Sequence, residues 1–219
     1  MQHFDQELVA LKERLLVMAS QAESAVNLAI AALVERDDHR AETVKEQDTV
    51  IDQLEMEIDQ TAINLLAKAP LAFDLRLITV AMKICRDLER VGDEATAIAR
   101  RALELNREPQ LKPYIDIPRM AALALEMLGQ ALDAFIRRDA AQARAIIPRD
   151  KEVDVLNKQL QRELVSFMVE NPATITRCLN LMAVSRRLER IADHATNIAE
   201  QVVFLLDACD IRHAARGNS

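Results

Sequence analysis

The sequence predicts an all-α protein built as two tandem antiparallel three-helix bundles, and three observations carry that expectation. The 219 residues include only three Gly, five Phe, one Tyr and no Trp, while half are hydrophobic, a composition of long helices rather than sheets. Apolar residues recur at helical spacing over stretches of about 30 residues. The segment RDLERVGDEATAIAR, Arg86 to Arg100, returns one hundred positions later as RRLERIADHATNIAE, Arg186 to Glu200, so one structural unit occurs twice.

The first helix is expected from about Phe4 to Arg36, with Leu8, Leu11, Leu15, Met18, Ala22, Ala25, Leu28 and Ala32 on one face. Glu35-Arg36-Asp37-Asp38-His39 ends it and offers an N-cap to a second helix carrying Val44, Ile51, Leu54, Ile58, Ala62 and Leu65, which Pro70 stops. A third helix is expected from about Asp74 to Asn106, striped by Leu77, Ala81, Ile84, Leu88, Val91, Ala95, Ile98 and Ala102. Pro109, Pro113 and Pro118 then mark a linker, because closely spaced prolines disfavour continued helix.

After the linker the pattern repeats. A helix is expected from about Arg119 to Arg137, and the chain beyond it aligns with the end of the first helix and the second, so that Arg36, Asp37, Asp48 and Asp52 meet Arg138, Asp139, Asp150 and Asp154. Pro148, opposite Glu46, kinks or restarts that helix. Asn171-Pro172 breaks the chain before a last helix from about Thr174 to Leu206, striped by Leu181, Val184, Leu188, Ile191, Ala195, Ile198, Val202 and Leu205. The domain reading is a first bundle at 1–107, a linker at 108–118, a second bundle at 119–208 and a fraying tail at 209–219. Helices of ~30 residues run ~45 Å at ~1.5 Å per residue, so the molecule is expected to be elongated.

The net charge of −7, with no basic stripe interleaved with aromatics, argues against nucleic acid as a partner. The N-terminus MQHFDQELVALKERLL lacks the basic start of a signal peptide, and no stretch reads as a membrane span; the expected location is cytoplasmic. Cys85, Cys178 and Cys209 are odd in number and not equivalent between repeats, which suits reduced core thiols.

Chemistry concentrates in carboxylates. Each repeat carries two pairs at i, i+4 spacing, Asp48 and Asp52 with Glu89 and Asp93, then Asp150 and Asp154 with Glu189 and Asp193, and this spacing sets each pair on one side of its helix. Glu89 and Glu189 directly follow the core residues Leu88 and Leu188, so they belong to a groove edge. Where neighbouring helices bring their pairs together, the repulsion must be offset by protonation, by basic partners or by a multivalent cation. An all-oxygen set favours Mg, Mn or iron over a thiolate-type zinc site, and the Glu-x-x-His element of di-iron oxidases is missing.

The plainer alternative is a solvated face whose acids pair with Arg86, Arg90, Arg186 and Arg190 for ~0–1 kcal/mol each. The repeat discriminates between the two. Glu55 and Asp59 continue the acidic stripe, but Asn157 and Gln161 stand opposite them, which assigns those two acids to the solvated face. His194 stands where the first repeat has Glu94, and a single His beside a carboxylate reads as an ion-pair residue before a ligand.

On AFDLRLI at Ala72 to Ile78, the LERVGD and LERIAD segments, the two Asp-x-x-x-Asp segments and the closing DIRH at Asp210 to His213, nearly the whole chain resembles the PhoU family. The resemblance implies a PhoU-like pair of metal sites at Asp48, Asp52, Glu89 and Asp93 and at Asp150, Asp154, Glu189 and Asp193. Their cofactors would be divalent or ferric ions (Fe, Mn, Mg or Zn), singly or in clusters. It also implies a homodimeric, non-enzymatic negative regulator of phosphate uptake. Such a protein links the ATPase subunit of the phosphate-specific ABC transporter to the membrane sensor histidine kinase of the phosphate regulon, and meets the membrane only through partners. Against the family pattern, Ala192 stands where the first repeat has Gly92, and Glu94 replaces a small or basic residue. The alternative is a metal-dependent enzyme of phosphate or polyphosphate metabolism, but no Gly-rich phosphate loop or Ser/His/Asp set is present.

Overall fold

Seven α-helices follow one another in the computed structural model, which describes residues 2–69 and 71–208, and no strand occurs among them. The first repeat comprises α1 (Gln2–Val34), α2 (Asp38–Leu66) and α3 (Ala72–Asn106); the second comprises α4 (Asp116–Arg137), α5 (Ala140–Ile146), α6 (Asp150–Glu170) and α7 (Ile175–Asp207). The expected Pro70 stop, Cys209, the DIRH segment and the tail lie outside the described residues.

Both repeats turn from their first helix to their second by the same device. Arg36 (φ 59°) and Arg138 (φ 57°) adopt the left-handed conformation that reverses the chain, and an aspartate follows each. Asp37 accepts hydrogen bonds from the His39 and Arg40 amides at 3.0 and 3.3 Å, and Asp139 accepts from the Gln142 amide at 2.9 Å. These carboxylates satisfy N–H groups that have no partner within the helix.

The two second helices then diverge. Helix α2 is continuous, but Pro148 interrupts its counterpart, leaving α5, one 3₁₀ turn at Ile147–Arg149, and α6 starting at Asp150. The linker is shorter than its prolines suggest. Helix α4 begins at Asp116, two residues before Pro118, which the first turn tolerates because its N–H groups need no helical acceptor. The linker is also tied down: Arg36 donates to the Asn106 and Glu108 carbonyls, Arg177 donates to the Pro109 carbonyl, and Lys112 bridges Asp116 and Glu163.

The expected stripes of α3 and α7 are buried throughout, as are those of α1 and α2 apart from the partly covered Leu28 and Leu54. Burial extends beyond them. Helix α3 packs on α1, α2 and α7, so Val80, Cys85, Gly92 and Glu94 are enclosed as well. Helix α7 likewise contacts α3, α4, α5 and α6. The two bundles therefore share one continuous core along the antiparallel seam of α3 and α7. At that seam Lys83 meets Gln201, Asp87 meets His194, Glu94 meets Arg187 and Arg101 meets Asn180.

Part of α1, within Phe4–Val34, is long and apolar enough to cross a membrane by composition, contrary to the expectation that no stretch is. Half of that window is buried inside the protein, because α1 lies against both α2 and α3. Core packing accounts for its apolar excess. Cys85 and Cys178 are buried and free, as expected of core thiols. Burial first, then nearby acids, pushes the Cys85 thiol up to about 12.

Candidate metal centre: two acidic patches

The packing of α2 on α3 and of α6 on α7 brings the sequence-predicted acids together as two patches. In the first, Asp48 and Asp52 come from α2 and Glu89 and Asp93 from α3; Asp48 and Glu89 are half-buried, Asp52 and Asp93 exposed. In the second, Asp150, Asp154 and Glu189 are half-buried and Asp193 is exposed.

Their protonation behaviour records the convergence. Desolvation leads the rise of the Asp48 pKa, with repulsion from Asp52 and Asp93 adding to it. Glu89 is raised by burial and by Asp93, while Arg90 opposes the shift. The second patch is the more strongly perturbed. Burial, then Asp193, Asp154 and Glu189, push Asp150 up to about 6. Glu189 is raised by desolvation and Asp154, and Asp193 by desolvation and Asp154 although its side chain remains exposed. Acids from facing helices thus repel one another in both repeats, as carboxylates sharing a site must.

The side chains as placed are partly held by neighbours. Arg90 pairs with Glu89 at 3.4 Å and Asp93 at 3.1 Å, Lys158 stands 3.9 Å from Asp154, and Asn157 donates to Glu189 at 2.8 Å. In these rotamers no group of three or more His, Cys, Asp or Glu among the described residues is arranged to hold a metal ion. The donor chemistry nevertheless suits a hard cation, and unsatisfied oxygens mark both places. Asp150 Oδ1 is buried with no hydrogen-bond partner, and so are the hydroxyls of Thr96 and Thr196, which occupy matching positions in the two repeats. Thr96 lies near enough to Asp48 to oppose its pKa rise, yet makes no hydrogen bond of ordinary geometry. A buried oxygen without a donor is costly unless something answers it, and a cation among the acids would do so. Thr96 was visible in the repeat but not as a polar group beside Asp48.

One sequence reading changes. Glu55 and Asp59 are not on a solvated face: both are half-buried and line a cavity with Thr79, Met82, Lys83 and Arg86. Burial, Asp59 and Asp52 raise Glu55, which extends the first acidic stripe. In the second repeat its counterpart Asn157 is buried, accepting from Ser185 at 2.8 Å while donating to Glu189. An amide there exchanges one repulsive acid for a hydrogen-bond donor. His194 points away from the ligand set, with Nδ1 2.9 Å from Asp87 across the α3–α7 seam.

Gly92 lies beneath the first patch at the α2–α3 crossing. A Cβ built there would come 2.9 Å from Ile51 Cδ1 and 3.5 Å from Asp48 Oδ1. The second repeat carries Ala192, but Val153 stands where the first has Ile51, and the valine lacks the δ-methyl that would collide. The departure at position 192 is thereby compensated within the repeat.

The chain as a whole is similar to known proteins. The family model described as "PhoU domain" matches twice, over residues 15–102 and 117–202. The "Phosphate-specific transport system accessory protein PhoU homolog" of Pseudomonas aeruginosa is 42% identical over 214 residues, covering 97% of this chain and 88% of that protein. Its namesake from Aquifex aeolicus is 41% identical over 208 residues, 94% of each chain. Among solved structures, PhoU from Pseudomonas aeruginosa superposes with a TM-score of 0.90 at 42% identity, covering 94% of this chain and 100% of that one. The phosphate transport system regulatory protein PhoU from Streptococcus pneumoniae superposes with a TM-score of 0.89 at 32% identity, covering 94% and 98%.

Proposed function

Because the chain belongs to the PhoU family, we propose that it is an accessory protein regulating phosphate transport, acting as a metal-binding adaptor and negative regulator rather than as an enzyme. The names of its relatives support the regulatory role. In the finer reading the chain is cytoplasmic, works as a homodimer, and links the ATPase subunit of a phosphate ABC transporter to a membrane sensor histidine kinase when phosphate is plentiful.

The observation that carries metal binding is that one four-carboxylate patch is built twice, with an unanswered buried oxygen and mutually raised acids. Asp48, Asp52, Glu89 and Asp93 would hold one ion or cluster, and Asp150, Asp154, Glu189 and Asp193 the other. A bound divalent or ferric ion would supply the positive charge that these acids lack and would cross-link the two helices of each patch. The protein's own part is to keep the carboxylates half-desolvated, so that their affinity for a cation exceeds that of solvated surface acids.

Elemental analysis of protein purified without chelator tests this reading. Metal is expected in the native chain and lost when Glu89, Asp93, Glu189 and Asp193 are changed to Ala. Equal thermal stability with and without added Mn²⁺, Mg²⁺ or Fe²⁺ would overturn it. For the regulatory role, a deletion strain is expected to keep its phosphate-starvation response on in phosphate-rich medium; normal repression there would refute the role.

A further inference from the structure

The second repeat contains a basic cavity that the first does not. It has a volume of about 250 Å³ and is lined by Leu179, Met182, Ala183, Arg186, Arg187 and Arg190. The corresponding first-repeat residues are Thr79, Met82, Lys83, Arg86, Asp87 and Arg90, and two of the differences matter. Lys83 lays its stem across the seam, donating to Gln201 at 3.1 Å with its ammonium 5.4 Å from the Phe204 ring centroid; Ala183 has no such stem. Asp87, which would place an acid among the arginines, is replaced by Arg187. The cavity lined by Lys83 and Arg86 also carries Glu55 and Asp59 and is balanced in charge. The second-repeat cavity has no acid in its lining, and an adjoining one that shares Met182 adds Lys158 and Arg162.

One buried acid organises the arginines. Glu94 is 7% exposed and accepts from Arg187 at 2.9 Å and from Arg190 at 3.3 Å, one nitrogen of each guanidinium. A guanidinium has five N–H donors, so both retain most of their capacity while being held in place. Arg186 makes no ion pair within 4 Å among the described residues and acts only at longer range on Glu189. Three arginines and no acid line the cavity; Glu94 pairs with two of them from behind, and Glu189 and Asp193 act on Arg186 and Arg190 from outside the lining.

We infer that this cavity binds a small dianionic oxyanion of the phosphate class, free in solution. Arginine forks match the oxygens of such an ion two at a time, and an all-basic charged lining favours an anion. The volume lies below the ~300–1,000 Å³ typical of drug-sized ligands, which selects a small ion. No acidic-patch residue lines the cavity, although Glu189 and Asp193 act on its arginines from outside, and anion binding and metal content are read by separate experiments, so the failure of one reading is distinguishable from the failure of the other.

Calorimetric titration of the full chain with inorganic phosphate, in chloride buffer with chelator present, tests it. Saturable binding is expected at ~1 mM or tighter. Sulfate is expected to compete, and monovalent acetate is not. Arg186→Gln, and Ala183→Leu, which fills the space without changing charge, are each expected to weaken binding at least ~10-fold, whereas Arg86→Gln in the first repeat leaves it unchanged. Helical melting curves identify any variant that fails to fold, and Ala183→Ser, which keeps the space open, is expected to bind normally. Absence of saturable binding up to ~10 mM, or binding that Ala183→Leu and Arg186→Gln both leave intact, would overturn the inference. A phosphoserine peptide that binds where inorganic phosphate does not would overturn the assignment to a free ion.

Discussion

The crossing of α2 and α3 beneath the first acidic patch makes a quantitative prediction. Gly92→Ala gains ~1 kcal/mol of helix propensity in an interior position. It also sets a Cβ 2.9 Å from Ile51 Cδ1, a separation that real side chains essentially never adopt. Overpacking of this kind costs ~1–3 kcal/mol, so the single substitution is expected to destabilise by up to ~2 kcal/mol. Ile51→Val alone costs ~0.5–1.5 kcal/mol. With the δ-methyl gone, the nearest remaining atoms, Ile51 Cγ2 and Asp48 Oδ1, are at 3.5 Å, ordinary contact distance. Gly92→Ala in that background is therefore expected to stabilise by ~0.5–1 kcal/mol, a reversal of sign giving ~1–3 kcal/mol of coupling. Urea unfolding of the wild type, both singles and the double variant closes the cycle. If Gly92→Ala has the same effect in both backgrounds, Ile51 is not what requires the glycine, and the account of Ala192 and Val153 falls with it.

Two further predictions concern the second repeat. The Asp150 carboxyl holds its proton to about pH 6 in the fold, against 3.8 for the ordinary value, so the folded state binds more protons than the unfolded. Metal-free protein is therefore expected to lose stability as pH rises from about 4 through 6. The shift would cap that loss at ~3 kcal/mol, and screening in a half-open patch cuts it to roughly 1 kcal/mol. Asp150→Asn is expected to flatten the slope in chelated buffer, and an unchanged pH profile of the melting temperature would refute the desolvated carboxyl. At the helix start, Asp139→Ala removes the acceptor for the Gln142 amide and is expected to cost ~1 kcal/mol, read by urea denaturation.

What the sequence revealed follows from which forces leave a periodic mark. Burial on one helix face does, so the stripes from Leu77 to Ala102 and from Leu181 to Leu205 were legible and proved fully enclosed. The number of helices that surround a given helix leaves no such mark. Glu94 and Gln201 are polar residues off the apolar stripes, yet both are buried because α3 and α7 pack on each other as well as within their bundles. Pro118 suggested more linker than exists because a proline in a first turn and one in a loop look alike in sequence. At the site, repetition made the eight acids stand out, and acids from facing helices lie near enough to raise one another's pKa. Glu55 was assigned to the solvated face because Asn157 stands opposite it in the repeat, when that amide is buried and bonded to Glu189.

The α3–α7 seam explains why two copies of one unit form a heterotypic pair. By the repeat, positions 87 and 94 of α3 correspond to 187 and 194 of α7, and the antiparallel crossing sets 87 against 194 and 94 against 187. The first repeat supplies acids at both positions, Asp87 and Glu94, and the second supplies bases, His194 and Arg187. Joining two first repeats across this seam would oppose Asp87 to Glu94 twice, and joining two second repeats would oppose Arg187 to His194. The mixed pair has a partner for each acid, whereas two first repeats would set carboxylate against carboxylate twice, and like charges so opposed discriminate against that pairing. The divergence that separates the repeats in sequence is thus what locks them together in space. Because Glu89 and Asp93 lie between Asp87 and Glu94 on α3, and Glu189 and Asp193 lie beside Arg187 and His194 on α7, the same contacts fix the two acidic patches relative to each other. Any partner that reads both patches therefore meets them at a set spacing.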